Sequence, residues 1–193
     1  IADVVTPFEP YISDYESQAL EWVPIDKIDE LPLHPGFADS WPALRDVVPR
    51  HPLLIVDAAN VVGARPDGWW KDRPATAGRL REGLSSLRAM GVDATALGLG
   101  GTRWFADMTM VLEGEARSLE ADDGPIAVVE AARDGDGELV AEVSRQIAAG
   151  RAAADVTVVT SDRDLADRVG ALGATVQGAG WLWAQVDALG ESA

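Results

Sequence analysis

From Leu53 onward the apolar positions switch between two repeats. Leu53–Ala58 (LLIVDA) is a short continuous apolar run, as expected of a parallel strand buried on both faces. Thr76–Met90 places Leu80, Leu84, Leu87 and Met90 at three- and four-residue spacing, and Gly91 follows as a stop. This predicts an amphipathic helix. Met108–Leu112 and Ile126–Val129 read as strands, and Glu138–Ala149 as a helix ended by Gly150. Val156–Thr160 is a strand, Leu165–Leu172 a helix stopped by Gly173, and Ala174–Gln177 a last strand. Strands alternating with helices predict a doubly wound, mainly parallel sheet in a three-layer α/β/α arrangement.

The first fifty residues follow neither repeat. Only Ile1–Val5 and Ala19–Val23 look like strands, and seven of the eleven prolines lie here. Two strands with little helix bury too little surface to fold alone. Ile1–Val5 reads as a strand already under way, so the chain is expected to begin inside a domain. Pro49, Arg50, His51 and Pro52 form the expected linker.

Composition narrows the chemistry. Asp and Glu number 32 against 16 Lys and Arg, a net charge of −16 over 193 residues. Ten acids and three bases fall in residues 1–50, leaving −9 for the rest. This acidity argues against a broad electrostatic nucleic-acid footprint, which needs clustered Lys and Arg. With no Cys, disulfides, zinc–thiolate sites and Cys nucleophiles are excluded, and two His nearly exclude a multi-histidine metal site. No segment has the roughly 20 apolar residues needed to span a bilayer, and none resembles a signal peptide. A cytoplasmic protein without membrane contact is expected.

In an open parallel sheet the site lies beyond the carboxyl ends of the strands. Asp57 and Asn60 follow the first strand. Asp136 and Glu138 precede the second helix. Ser161, Asp162 and Asp164 follow VTVVT. Each has an ordinary explanation as a turn former or helix cap. Together they bring acids from three segments to one sheet edge, and crowded like charges call for a neutralising cation. All-oxygen ligands select a hard ion, Mg²⁺ or Mn²⁺.

The strings VDAANV, GDGELV and VVTSDRDL resemble the three acidic motifs of the PIN-like nucleases, the NYN branch in particular, over about Leu53 to Trp183. The resemblance implies a Rossmann-like sheet and a metal-dependent hydrolase of RNA phosphodiesters. Asp57 would be the first-strand ligand with Asn60 as its neighbour, Asp136 the helix-start acid, and Asp162 and Asp164 the acids after a later strand. Relatives often carry two adjacent Asp before the helix. Here the second is Gly137, for which Glu138 could substitute as a ligand.

The connection from Val61 to Ala75 leaves the sheet beside Asp57, and long structureless connections tend to be functional. Residues 65–88 hold six bases against three acids. Arg65, Lys71 and Arg73 could bind phosphates while Trp69 and Trp70 stack a base. Equally, the tryptophans could fold back as an apolar plug and the bases pair with the acidic surface. Gly98-Leu99-Gly100-Gly101 leads to a strand rather than a helix, so it is no dinucleotide fingerprint. His34 and His51, flanked by prolines, are expected to be structural.

Ala19–Arg45 (ALEWVPIDKIDELPLHPGFADSWPALR) resembles the C-terminal end of a Nudix hydrolase domain. The resemblance implies a catalytic R-E-x-x-E-E helix upstream of Ile1, since no such string occurs within the chain. The expected organisation is a Nudix-derived fragment at 1–48, a linker at 49–52 and a PIN-like domain at 53–190, as in actinobacterial Nudix–PIN-like fusion proteins. Two functions follow. One is an RNA endonuclease using Mg²⁺ or Mn²⁺. The other is a nucleotide pyrophosphohydrolase whose Nudix half does the chemistry, with the PIN-like half accessory or a non-catalytic scaffold. Expected partners are RNA, a nucleotide for the Nudix half, and, left open, a second copy of the chain.

Overall fold

The computed structural model describes residues 6, 8–65, 73–114, 124–132 and 134–190, without the side chains of residues 73 and 74. The chain divides into two compact units, Ile1–Pro49 and Arg50–Ala193.

In the first unit a 3-10 helix, Ile25–Glu30, precedes α1, Pro35–Arg45. Pro35 occupies the first helical turn, where its missing N–H costs nothing. His34 caps the helix, its Nδ1 accepting from Gly36 N at 3.2 Å, a structural role as expected. The strand expected at Ala19–Val23 does not form, and these residues carry no regular structure. A strand needs a neighbour for its ladder bonds, and among the described residues of this unit there is none. Trp22 instead meets Phe8 edge-on at 5.6 Å. The strand expected at Ile1–Val5 lies outside the described residues.

The second unit is built on five parallel strands. They are β1 (Leu53–Asp57), β4 (Asp107–Leu112), β5 (Ala127–Glu130), β6 (Val156–Val159) and β7 (Thr175–Gln177), in spatial order β5-β4-β1-β6-β7. A separate antiparallel pair joins β2 (Val92–Asp93) to β3 (Arg103–Trp104), across the glycine-rich loop dismissed as a phosphate site. The helices are α2 (Ala58–Gly63), α3 (Arg73–Met90), α4 (Gly135–Ala148), α5 (Arg163–Gly170) and α6 (Ala179–Gly190). β1 is buried at every residue, which explains its unbroken apolar run. Its alternate side chains enter two cores. Leu54 and Val56 pack with α2, α3 and α6, while Leu53 and Ile55 pack with α4 and α5. The three-layer α/β/α architecture is therefore present.

Leu80, Leu84 and Leu87 are buried as their spacing predicts, but Met90, the last residue of α3, is 56% exposed. Gly91 ends the helix at φ 79°, and a Cβ there would sit 3.2 Å from Arg103 Cβ. Helix α6 has no counterpart in the sequence pattern. Its apolar residues Trp181, Leu182, Trp183, Val186 and Leu189 all pack on one core, Leu182, Val186 and Leu189 at helical spacing. The strand order places β1 and β6 side by side with the chain running outward on both sides, so the crevice of the fold opens between their carboxyl ends.

Candidate active site

Asp57 is the last residue of β1 and the N-cap of α2. Its Oδ1 accepts from Asn60 N at 3.0 Å and its Oδ2 from the Thr160 hydroxyl at 2.9 Å. Asn60 Oδ1 in turn accepts from Ser161 N at 2.8 Å. The ends of β1 and β6 are thus stapled together on both sides of the crevice. Asp57 is only 8% exposed. Burial pushes its carboxyl above the ordinary value, the Asn60 amide and Thr160 hydroxyl pull it back, and the charges of Asp136 and Glu113 push it up again.

Thr160 does double duty, since its hydroxyl also accepts from Asp162 N at 3.2 Å. Asp162 caps α5, its Oδ1 taking Leu165 N at 2.9 Å. The capping explanation therefore holds for this residue, which also stands at the carboxyl edge of the sheet. Helix caps place carboxylates where the helix dipole favours negative charge.

Asp136 lies in the first turn of α4. Burial raises its pKa first, then the charges of Asp162 and Asp134, with Glu113 adding to them. Arg168, 3.9 Å away, opposes. The cap of α4 is Asp134, which accepts from Asp136 N at 3.2 Å and Gly137 N at 3.1 Å. Glu113, directly after β4, accepts from Gly135 N at 3.1 Å. A Cβ on Gly137 would lie 2.6 Å from Asp134 Oδ2, so glycine at this position is what lets Asp134 close over the helix end.

The structure therefore brings Asp57, Asp136 and Asp162 together and adds Glu113, Asp134 and Thr160. Glu113 was legible by the same rule that selected Asp57, as an acid directly after a strand. Asp134 was masked because the pattern starts the helix at Glu138 rather than Gly135. Two further expected ligands stand in the first turns of α4 and α5. Glu138 is held by Arg145 at 2.7 Å along α4. Asp164 is exposed on α5 with no hydrogen bond or ion pair among the described residues.

Of the expected substrate-binding residues, Trp69, Trp70, Lys71 and the side chain of Arg73 lie outside the described residues. Arg65 does not face open solvent as a free cation. Its guanidinium is paired with Asp187 of α6 and lies 3.9 Å over the Trp183 ring. Trp183 Nε1 donates to Val61 O at 2.8 Å, fixing α6 against α2.

The donor set suits a hard cation. Neighbouring carboxylates help raise the pKa of Asp57 and Asp136, and the ion pair to Asp136 is long at 3.9 Å. Among the described residues no three acidic or His side chains gather closely enough to form a cage around one ion. Mg²⁺ does not need one, being held through one or two carboxylates with water completing its shell. Asp57 and Asp136, whose charges act on one another, are the carboxylates that could hold such an ion.

No protein-family model matches the chain. Two curated relatives, from Mycobacterium tuberculosis strains CDC 1551 / Oshkosh and H37Rv, bear the name "Putative 8-oxo-dGTP diphosphatase 3" and are 44% identical over 46 residues. That stretch is 24% of this chain and only 21% of each relative. Among solved structures, Rae1 (YacP) from Bacillus subtilis superposes with a TM-score of 0.54 at 16% identity, covering 72% of this chain and 76% of its own. A point-mutant form gives 0.52 at 15% identity, covering 73% and 78%. At such identity the likeness is one of fold, and this chain shares the Rossmann-like α/β/α fold of Rae1.

Proposed function

We propose that the second unit is a divalent-metal-dependent phosphodiesterase of the PIN-like/NYN type whose substrate is RNA. The observation that supports this reading is the run of like charges from Asp57 through Asp136 to Asp162 at the carboxyl edge, where burial and repulsion raise the carboxyls of Asp57 and Asp136. The fold shared with Rae1 is nuclease-like and points the same way. Asp57, Asp136 and Asp162 would hold Mg²⁺ or Mn²⁺, which supplies a water of lowered pKa and polarises a phosphoryl oxygen. The chain's own residues do the positioning. Thr160 and the Asn60 amide fix the Asp57 carboxylate in one orientation. Asn60 spends its carbonyl on Ser161 N, which leaves its NH₂ to donate to a phosphate oxygen. The basic, Trp-bearing loop would bind the strand through Trp69, Trp70, Lys71 and Arg73.

The test is cleavage of single-stranded RNA by the full chain over a Mn²⁺ titration, wild type against Asp57→Asn. Metal-dependent cleavage lost in the variant supports the reading. No cleavage, or an unaffected variant, overturns it.

A second reading rests on the 46-residue match to the 8-oxo-dGTP diphosphatase relatives. In it residues 1–48 are the tail of a Nudix domain, 49–52 a linker and 53–190 the PIN-like domain, and a larger protein hydrolyses a nucleotide pyrophosphate. An R-E-x-x-E-E helix in sequence preceding Ile1 is its requirement. Either way a cytoplasmic location is proposed. No helix among the described residues is long and apolar enough to cross a membrane.

A further inference from the structure

The opposite edge of the sheet holds a second concave feature. A cavity of about 220 Å³ opens between the amino ends of β1, β4 and β5, lined by Arg88, Asp107, Thr109, Gln146 and Arg151 around an apolar floor. β1 spans five residues, at about 3.3 Å each, so this cavity and the acid cluster lie roughly 15 Å apart. Its charge has the opposite sign.

Two guanidiniums converge here from different elements. Arg88 comes from the last turn of α3 and Arg151 from the segment after α4. Both reach the one carboxylate of Asp107, at 3.4 and 3.1 Å. Arg151 also donates to His51 O, and its side chain is only 17% exposed. Its Nε is buried without a hydrogen-bond partner among the described residues. Asp107 supplies one negative charge to two positive ones, and its own side chain is 53% exposed.

We propose that this cavity binds the dianionic head of a phosphate group. A phosphate carries about −1.5 to −2 at neutral pH and three acceptor oxygens, matching two guanidiniums that approach from two directions. A carboxylate offers one charge in one plane and would do no better than Asp107 already does. The volume is below the roughly 300–1,000 Å³ of pockets that enclose a whole drug-sized ligand, so a headgroup enters and any attached body stays outside. The occupant is either free phosphate or a phosphate monoester such as a nucleotide. The site is independent of the chemistry at the carboxyl edge.

Isothermal titration of the full chain tests this with inorganic phosphate and with adenosine monophosphate, in EDTA so that no metal bridges phosphate to the acid cluster. Saturable one-to-one binding is expected. Arg88→Gln weakens it about tenfold, the scale of one charge-assisted hydrogen bond. This variant loses only a 3.4 Å ion pair between exposed side chains and should fold normally. Asp107→Asn removes the internal competitor and tightens binding several-fold. Tighter binding of the nucleotide identifies a monoester, and equal binding identifies phosphate itself. Absence of saturable binding, or indifference of the affinity to both substitutions, overturns the proposal.

Discussion

Replacing Thr160 by Val keeps the branched shape of the side chain and deletes its hydroxyl. In the wild type that hydroxyl donates to Asp57 Oδ2 at 2.9 Å and accepts from Asp162 N at 3.2 Å. A hydrogen bond to a charged group is worth about 1.5–3 kcal/mol and a neutral one about 0.5–1.5 kcal/mol. Thr160 is 2% and Asp57 8% exposed, so water does not readily replace the lost partner. The added buried methyl returns about 0.8 kcal/mol. The balance is a loss of about 1–4 kcal/mol at neutral pH, centred near 2.5. With a urea slope of about 2 kcal/mol/M, the unfolding midpoint followed by circular dichroism falls by about 1 M. The deficit also has a pH signature. In the fold Asp57 titrates above its ordinary value of 3.8, and losing the Thr160 donor raises it further. The deficit is therefore fully present at pH above the raised values of both proteins, where Asp57 is ionised, and shrinks as pH falls through them. A midpoint within about 0.2 M of wild type, or a deficit that persists undiminished in acid, refutes the claim that Thr160 supports the Asp57 carboxylate.

Asp57→Asn should raise the melting temperature of the metal-free protein at neutral pH while abolishing RNA cleavage. A carboxyl with a raised folded-state pKa stabilises below its unfolded value and loses that contribution as pH rises through the folded one, so the gain should vanish in acid. A variant less stable at pH 7 than wild type in EDTA would contradict this. Gly137→Ala places a Cβ 2.6 Å from Asp134 Oδ2, so the α4 cap opens and stability falls by about 1–2 kcal/mol in urea titrations. Arg65→Ala removes a pair with Asp187 that is 35% and 58% exposed and a stack on Trp183. The loss should be only about 1 kcal/mol by the same measurement, since exposed pairs contribute little.

The sheet was readable because a strand buried on both faces has no polar face to show. Leu53–Val56 is apolar at every position and Val156–Val159 at all but Thr157, for the reason that α2, α3 and α6 cover one side and α4 and α5 the other. Asp57 and Asp162 were readable because acids directly after such runs must stand at the carboxyl edge. Helix α6 was not, although Leu182, Val186 and Leu189 have helical spacing, because Trp181, Ala184 and Ala188 outside that row leave little polar contrast. Ala19–Val23 looked like a strand by local composition, but a strand exists only with a partner, and that is a non-local condition.

What the sequence determined by itself is the central strands and the helices α3, α4 and α5, because hydrophobic period is a local property of the chain. What only the tertiary structure decided is which acids meet. The order β5-β4-β1-β6-β7 brings the charges of Glu113 and Asp136 to bear on Asp57 and that of Asp162 on Asp136, while local pairing takes Glu138 to Arg145. The same order gathers Arg88, Asp107 and Arg151 at the far edge, a juxtaposition of residues up to 63 positions apart (151 less 88) that no local repeat encodes. Strand order depends on crossovers and long-range packing, and so the chemistry of this chain is set by distances that the hydrophobic pattern does not contain.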